Sequence, residues 1–132
     1  MPALNNAALG QLDAGVATPT YDRSQVTAGI VHFGVGGFHR AHQAMYLDEL
    51  MNAGQALDFG ICGVGVMPSD KRMADVMAAQ DGLYTLVEKH ADGTYAPRVI
   101  GSIIDYKFAP DDVEDVLATL TAETTKIVSL TV

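Results

Sequence analysis

The six residues Gly34-Val35-Gly36-Gly37-Phe38-His39 place glycines at a G-x-G spacing, and a stretch without Gly or Pro follows from Phe38 to Ala53. A turn of this kind suits one sort of chemistry, the holding of a phosphate group by backbone amides at a helix start. In dinucleotide-binding turns the first glycine makes the tight bend and the second lets the backbone approach a pyrophosphate. A third lets helix and strand pack closely. Gly34 and Gly36 fill the first two places, and His39 stands in the third, a departure from the pattern. Arg40 follows and is of a type that pairs with a phosphate oxygen. Read from the residues alone, the turn serves a dinucleotide, the methyl donor S-adenosylmethionine, or packing without any ligand.

A second candidate is Asp70. In such sites an acid after the second strand takes hydrogen bonds from the adenosine ribose and repels a 2′-phosphate. Asp70 lies 34 residues after Gly36, longer than the usual interval of roughly 20, and the loop 54–58 absorbs part of the excess. The alternative for Asp70 is an acid favoured by a helix dipole. Lys71 and Arg72 come directly after it, which keeps a phosphorylated cofactor open. His39 and His42 with Cys62 form no recognisable metal-ligand spacing, so no metal site is assigned. Cys62 reads as a small core residue. The acidic group Asp111, Asp112, Glu114 and Asp115 reads as a solvated helix start.

The elements that position these residues follow from pattern. Residues 1–28 read as an irregular arm with at most one short helix. Ile30 to Phe33 is a short apolar run, as in a buried parallel strand. Apolar residues from Phe38 to Ala53 recur at steps of three and four, predicting one helix that stops at Gly54. Phe59 to Val66 predicts a second buried strand, rich in glycine. Ser69 or Asp70 then caps a helix with Met73, Val76 and Met77 on one face. Strand, helix, strand, helix is the order of a parallel α/β unit. Leu83–His90 and Tyr95–Ile104 read as the arms of a hairpin around Asp92-Gly93, with a type I′ turn and Pro97 marking an edge. Pro110 is placed in the first turn of a helix carrying Val113, Val116, Leu117 and Leu120. Lys126 to Thr131 reads as another buried strand.

The fold class expected is therefore α/β: a Rossmann-like, mostly parallel sheet with flanking helices and a β-hairpin insertion, truncated after a sheet strand. The expected organisation is an arm over 1–28 and an incomplete dinucleotide-binding domain over 29–132, with a C-terminal substrate domain absent.

The chain has 132 residues and a formal net charge of −8. Its basic residues are scattered, whereas phosphate-backbone binding needs them clustered, so neither nucleic acid nor membrane is an expected partner. One cysteine allows no internal disulfide. The N-terminus does not pattern as a signal peptide, and a cytoplasmic location is expected. The sequence sets no oligomeric state.

The string Gly34-Val35-Gly36-Gly37-Phe38-His39-Arg40-Ala41-His42 is far more specific than a bare G-x-G. With Pro19-Thr20-Tyr21-Asp22, Ile61-Cys62-Gly63-Val64-Gly65, Arg98-Val99-Ile100-Gly101-Ser102 and Ile127-Val128-Ser129-Leu130-Thr131, it resembles the start of the mannitol 2-dehydrogenase family. These are polyol-specific long-chain dehydrogenases. The resemblance covers nearly all of the chain from residue 19.

That resemblance implies metal-independent, reversible oxidation of D-mannitol to D-fructose with NAD, on a Rossmann-like N-terminal domain followed by a mostly helical one. It implies that Gly34, Val35, Gly36, Gly37, Phe38, His39 and Arg40 hold the cofactor pyrophosphate. His39 in the third-glycine place is a trait of the family. Asp70 matches the family's acid that favours NAD over NADP; where some relatives carry Glu before it, this chain has Ser69. The family's catalytic lysine, in a K-x4-N-x2-H pattern, lies downstream. None of Lys71, Lys89, Lys107 or Lys126 fits that pattern, so no catalytic residue is expected before Val132. The substrate expected is a small polyol or ketose. Arabinitol dehydrogenases and the fructuronate and tagaturonate reductases are alternatives within the family, and a non-catalytic nucleotide-binding module is the alternative outside it.

Overall fold

The computed structural model describes residues 3–132. After two 3-10 turns, Asn6–Gln11 and Arg23–Gln25, the chain alternates strands and helices. These are β1 (Ala28–Phe33), α1 (Gly37–Ala41), α2 (Gln43–Asn52), β2 (Gly60–Gly65) and α3 (Lys71–Ala79). Then come β3 (Tyr84–Lys89), β4 (Tyr95–Ile100), β5 (Ile103–Phe108), α4 (Val113–Leu120) and β6 (Ile127–Leu130).

Four strands form a parallel sheet in the order β5-β2-β1-β6, and β3 pairs with β4 in a separate antiparallel hairpin. The chain steps outward from β1 through β2 to β5, then crosses back to place β6 on the other side of β1. Ile30 to Phe33 pair with Ile127 to Leu130 there. Strand order thus reverses at β1, and open α/β sheets bind their ligands at the carboxyl ends of the strands at such a reversal. This is a Rossmann-like arrangement. The apolar runs of β1 and β2 are explained by cover on both faces. Ile30 and Ile61 pack with Val35, Ala44, Met77 and Ile103 on one side, while Val31 and Val64 pack with Val116 of α4 on the other. No helix among the described residues is long and apolar enough to cross a membrane.

Several local expectations are corrected. The arm holds two short 3-10 turns rather than one, and Ala17 bridges to Arg98. The single helix expected from Phe38 to Ala53 is two, because His42 leaves helical geometry at φ −123°, ψ −88°. The second hairpin arm ends at Ile100, and Ile103 opens a separate strand that joins the parallel sheet beside β2. Periodicity could not separate them, since the apolar run passes through Gly101-Ser102 unbroken. The hairpin turn is not type I′. Only Gly93 has positive φ, and Gly93 donates to His90 O while His90 donates to Thr94 O, a type I turn followed by a one-residue bulge. Pro110 lies outside α4, whose cap is Asp112, accepting from Asp115 N at 3.0 Å. Val76, Val113 and Leu117 are exposed. The strand expected at 126–131 forms as Ile127–Leu130 and pairs in parallel with β1; in these 132 residues Ile127, Val128 and Leu130 are exposed.

One buried carboxylate ties these parts together. Asp48 of α2 is 1% exposed. Its Oδ1 accepts from Tyr21 Oη at 2.6 Å and from Gly101 N at 2.9 Å. Its Oδ2 accepts from Arg98 and from Asn52, each at 3.1 Å. The arm, the helix and the crossing from hairpin to sheet therefore meet at one group. Arg23 grips the same crossing from the arm, donating to the carbonyls of Gly101, Ile103 and Asp81. Replacing Asp48 by Ala strands several buried donors at about 1–3 kcal/mol each and leaves Arg98 short of its inner partner. Urea unfolding at neutral pH is expected to show Asp48→Ala destabilised by about 3 kcal/mol or more. An unchanged midpoint would show that the bonds carry no net stability.

Candidate functional site

The glycine-rich turn leaves the carboxyl end of β1 at the sheet reversal. Gly34 has φ 82°, a conformation that costs glycine nothing and other residues strain. Its amide donates to Val64 O at 2.9 Å, so the end of β1 stays tied to β2 as the chain bends away. Gly36 precedes α1 with extended backbone and no side-chain cap. No backbone carbonyl among the described residues accepts from the amides of Val35 to Phe38. A Cβ added at Gly34 or Gly37 would meet nothing within 4 Å. The turn thus offers uncommitted donors on an open surface, the combination that holds a phosphate group.

The side chains of the turn divide into inward and outward sets. Val35 is buried in the core. Phe38 is 67% exposed and stacks on His42, ring centroids 4.3 Å apart. His39 goes inward, which qualifies the expectation that it lies by the pyrophosphate. It is 2% exposed and stacks flat on His32 at 3.7 Å. Its Nε2 meets Gln43 Oε1 at 2.8 Å, and its Nδ1 is buried without a partner. The imidazole fills the contact region between helix and strand that a third glycine would leave closed. Burial, helped by the neighbouring His32 ring, pushes its pKa down to about 4, so it is neutral at neutral pH. His32 in turn meets Ser129 Oγ at 2.8 Å, linking β1 to β6.

Arg40 is half-buried at the end of α1. Its guanidinium lies 5.9 Å from the Tyr84 ring centroid, and its carbonyl accepts from Tyr84 Oη at 2.6 Å. The hairpin therefore holds the far end of the helix that begins at the turn. Nothing in residue spacing announces this contact, because Tyr84 stands 44 positions away.

Asp70 stands at the N-cap position of α3, but its side chain makes no cap hydrogen bond there. It ends a 3-10 turn, Pro68–Asp70, and its carboxylate reaches back to the end of β2. There Oδ2 accepts from Val66 N at 3.0 Å and Met67 N at 2.9 Å. Ser69 is exposed. The glycines of β2 make this approach possible. A Cβ on Gly65 would stand 2.6 Å from Asp70 Cβ, and one on Gly63 would stand 2.6 Å from Val35 Cγ2. Turn and acid thus settle against the same bare strand. Lys71 is paired with Asp75 and Arg72 is exposed. The glycines of this strand are plain in the sequence, but the side chains that settle on them are not.

Other chemistry is not assembled. Cys62 is fully buried, and burial pushes its thiol up to about 12, far from a thiolate nucleophile. Among the described residues no three His, Cys, Asp or Glu side chains group as a metal would require. A cleft of about 470 Å³ lies elsewhere, between the arm, α3 and β5, lined by Asn6, Arg23, Met77, Asp81 and Tyr106.

Comparisons with known proteins fit this geometry. The family model for the mannitol dehydrogenase Rossmann domain matches residues 28–131. A mannitol 2-dehydrogenase of Neosartorya fischeri is 52% identical over 98% of this chain and 26% of its own length. One of Pyricularia oryzae is 51% identical over 92% of this chain and 24% of its own. Among solved structures, a Pseudomonas fluorescens mannitol 2-dehydrogenase in ternary complex with NAD and D-mannitol superposes with a TM-score of 0.93. It is 46% identical and matches 97% of this chain and 26% of that one. A D-sorbitol dehydrogenase in substrate-free form gives 0.88 at 41% identity, over 97% of this chain and 26% of its own. The chain spans about a quarter of the length of the relatives it matches.

The buried imidazole of His39 gives a pH test. Its folded pKa of about 4 lies below the unfolded value of about 6.5. The unfolded chain therefore takes up a proton that the folded one refuses as pH falls from 6.5 towards 4, and stability drops across that window. In His39→Gln that contribution is missing. Urea midpoints at pH 7 and 4.5 are expected to fall further for the parent chain than for the variant. Equal falls would mean that His39 is not held neutral.

Proposed function

The chain belongs to the mannitol dehydrogenase family, and from that premise we propose that it is the NAD-binding part of a polyol oxidoreductase. The observation that carries the reading is the pairing of uncommitted turn amides with an acid anchored at the end of the neighbouring strand. Support comes from the solved relative that holds NAD and D-mannitol.

In this reading Gly34, Val35, Gly36, Gly37, Phe38 and His39 form the pyrophosphate turn. Their backbone is the working part, while the side chains of Val35 and His39 fix the turn from inside. Arg40 adds a positive charge at the end of α1. Asp70, with Oδ2 occupied by two backbone amides, keeps Oδ1 for the adenosine ribose hydroxyls, and its charge opposes a 2′-phosphate. Residues 1–28 form the arm and 29–132 the cofactor domain, with the substrate-binding part supplied by further sequence such as the longer relatives possess. When bound, NAD takes up the hydride that leaves a carbinol carbon of the polyol, D-mannitol giving D-fructose reversibly. A base must take the alcohol proton at the same time, and no lysine of residues 1–132 fits the family pattern for it. D-Sorbitol is the second substrate reading, favoured by the likeness to a D-sorbitol dehydrogenase. The net charge of −8 and the single buried cysteine suit a cytoplasmic protein without nucleic-acid partners.

Titration of the 132-residue chain with NADH, followed by cofactor fluorescence, tests the binding claim. Saturable enhancement is expected. Asp70→Asn should weaken NADH about tenfold, equivalent to about 1.4 kcal/mol, and narrow its advantage over NADPH. A folded chain that leaves NADH fluorescence unchanged would sink the reading. D-Mannitol and D-sorbitol offered separately with NAD to a protein of the relatives' length would separate the two substrates, since D-fructose is the C2 ketone of both.

A further inference from the structure

Gly63 and Gly65 lie on one face of β2, and with no side chains they leave a trough along the strand. Tyr106 of β5, paired in register with Gly63, lies in it. A Cβ on Gly63 would stand 2.8 Å from Tyr106 Cδ2, and one on Gly65 would stand 2.4 Å from Tyr106 Oη. The ring therefore runs along the strand from one glycine to the other and ends where Asp70 comes down, since the same Gly65 Cβ would stand 2.6 Å from Asp70 Cβ. Val35 of the turn enters the trough at its other end, over Gly63. The Asp70 charge is felt at the hydroxyl: burial first, then Asp70, raises the Tyr106 pKa to about 12.

We propose that Tyr106 is a specificity-determining positioning residue: its side chain, filling the glycine trough beside Asp70, keeps the Asp70 carboxylate from swinging away and so sets the choice between NAD and NADP. This rests on the NAD-binding reading above. Asp70 is fastened to backbone only through Oδ2, and the Tyr106 hydroxyl stands beside it over Gly65. With the ring gone, the carboxylate swings sideways into the emptied trough and vacates space at the ribose 2′ position, where a phosphate then fits at lower cost. The effect on selectivity travels through Asp70, the group that meets the ribose in this reading.

Two variants test it. Tyr106→Leu fills the trough over Gly63 with apolar bulk but cannot reach Gly65, while Tyr106→Phe keeps the ring along the trough and removes only the hydroxyl over Gly65. Fluorescence titrations of the 132-residue chain with NADH and NADPH give the ratio of the two Kd values, with circular dichroism and urea unfolding confirming that each variant folds. The ratio that favours NADH is expected to shrink about tenfold in Tyr106→Leu and less than about threefold in Tyr106→Phe. In an Asp70→Asn background, Tyr106→Leu should change the ratio no further. Equal weakening of both cofactors in Tyr106→Leu, with the ratio unchanged, would reduce Tyr106 to a packing residue and overturn the proposal alone. A parent chain that binds neither cofactor would overturn it together with the reading on which it rests.

Discussion

A buried charge needs partners, and Asp48 has them on every side. It sits on α2, yet three of its four donors come from elsewhere: the Tyr21 hydroxyl of the arm, the Gly101 amide of the crossing and the Arg98 guanidinium of β4. Such a group contributes less through net stability than through the cost of every alternative arrangement. A hairpin docked one residue out of register would leave a carboxylate or its donors unpaired in the interior. The hairpin in turn brings Tyr84 to the end of α1, so the aim of the glycine-rich turn depends on a contact made at the opposite end of the helical segment.

The site itself is shaped by missing atoms as much as by present ones. Strand residues usually compete for space with what packs on them, but β2 gives up two side chains on one face. Val35, Tyr106 and Asp70 take that space. This bare stretch lies beside the point where strand order reverses, and the groups that meet there come from three separate elements. Helix propensity plays little part in this arrangement: α1 has only five residues, and the phosphate-holding character of the turn comes from local amides.

Much of this was legible in the sequence. The strand before Gly34, the strand from 60 to 65, the hairpin and the last strand were all readable, because apolar runs bounded by glycine carry their own signal. The glycine string carried the family. What escaped has a common physical origin. The break at His42 has no proline or glycine to mark it. The division of Tyr95–Ile104 into a hairpin arm and a sheet strand turns on which neighbour each half finds, a tertiary choice invisible to periodicity. The exposure of β6 depends on what packs against it and not on its composition, which is as apolar as that of β1. The inward turn of His39 could not be read from its polarity, since the ring is accommodated by stacking on His32 and by one bond to Gln43. Asp70 is legible from its position at the start of α3, but the backward reach of its carboxylate to Val66 and Met67 has no signal in residue spacing.

The discontinuity at His42 divides labour along what looks in sequence like one helix. The short leading piece shares its orientation with the turn, whereas the longer trailing piece carries Asp48 and answers to the arm and the crossing. Because the backbone departs from helical angles between them, a shift in one need not be transmitted rigidly to the other. The side-chain link between them is the His39–Gln43 bond at the break, and a solvent-facing position further along, such as exposed Leu50, can change without redirecting the leading piece. The two halves therefore have separate tolerances to change, a modularity that a continuous rod would not possess.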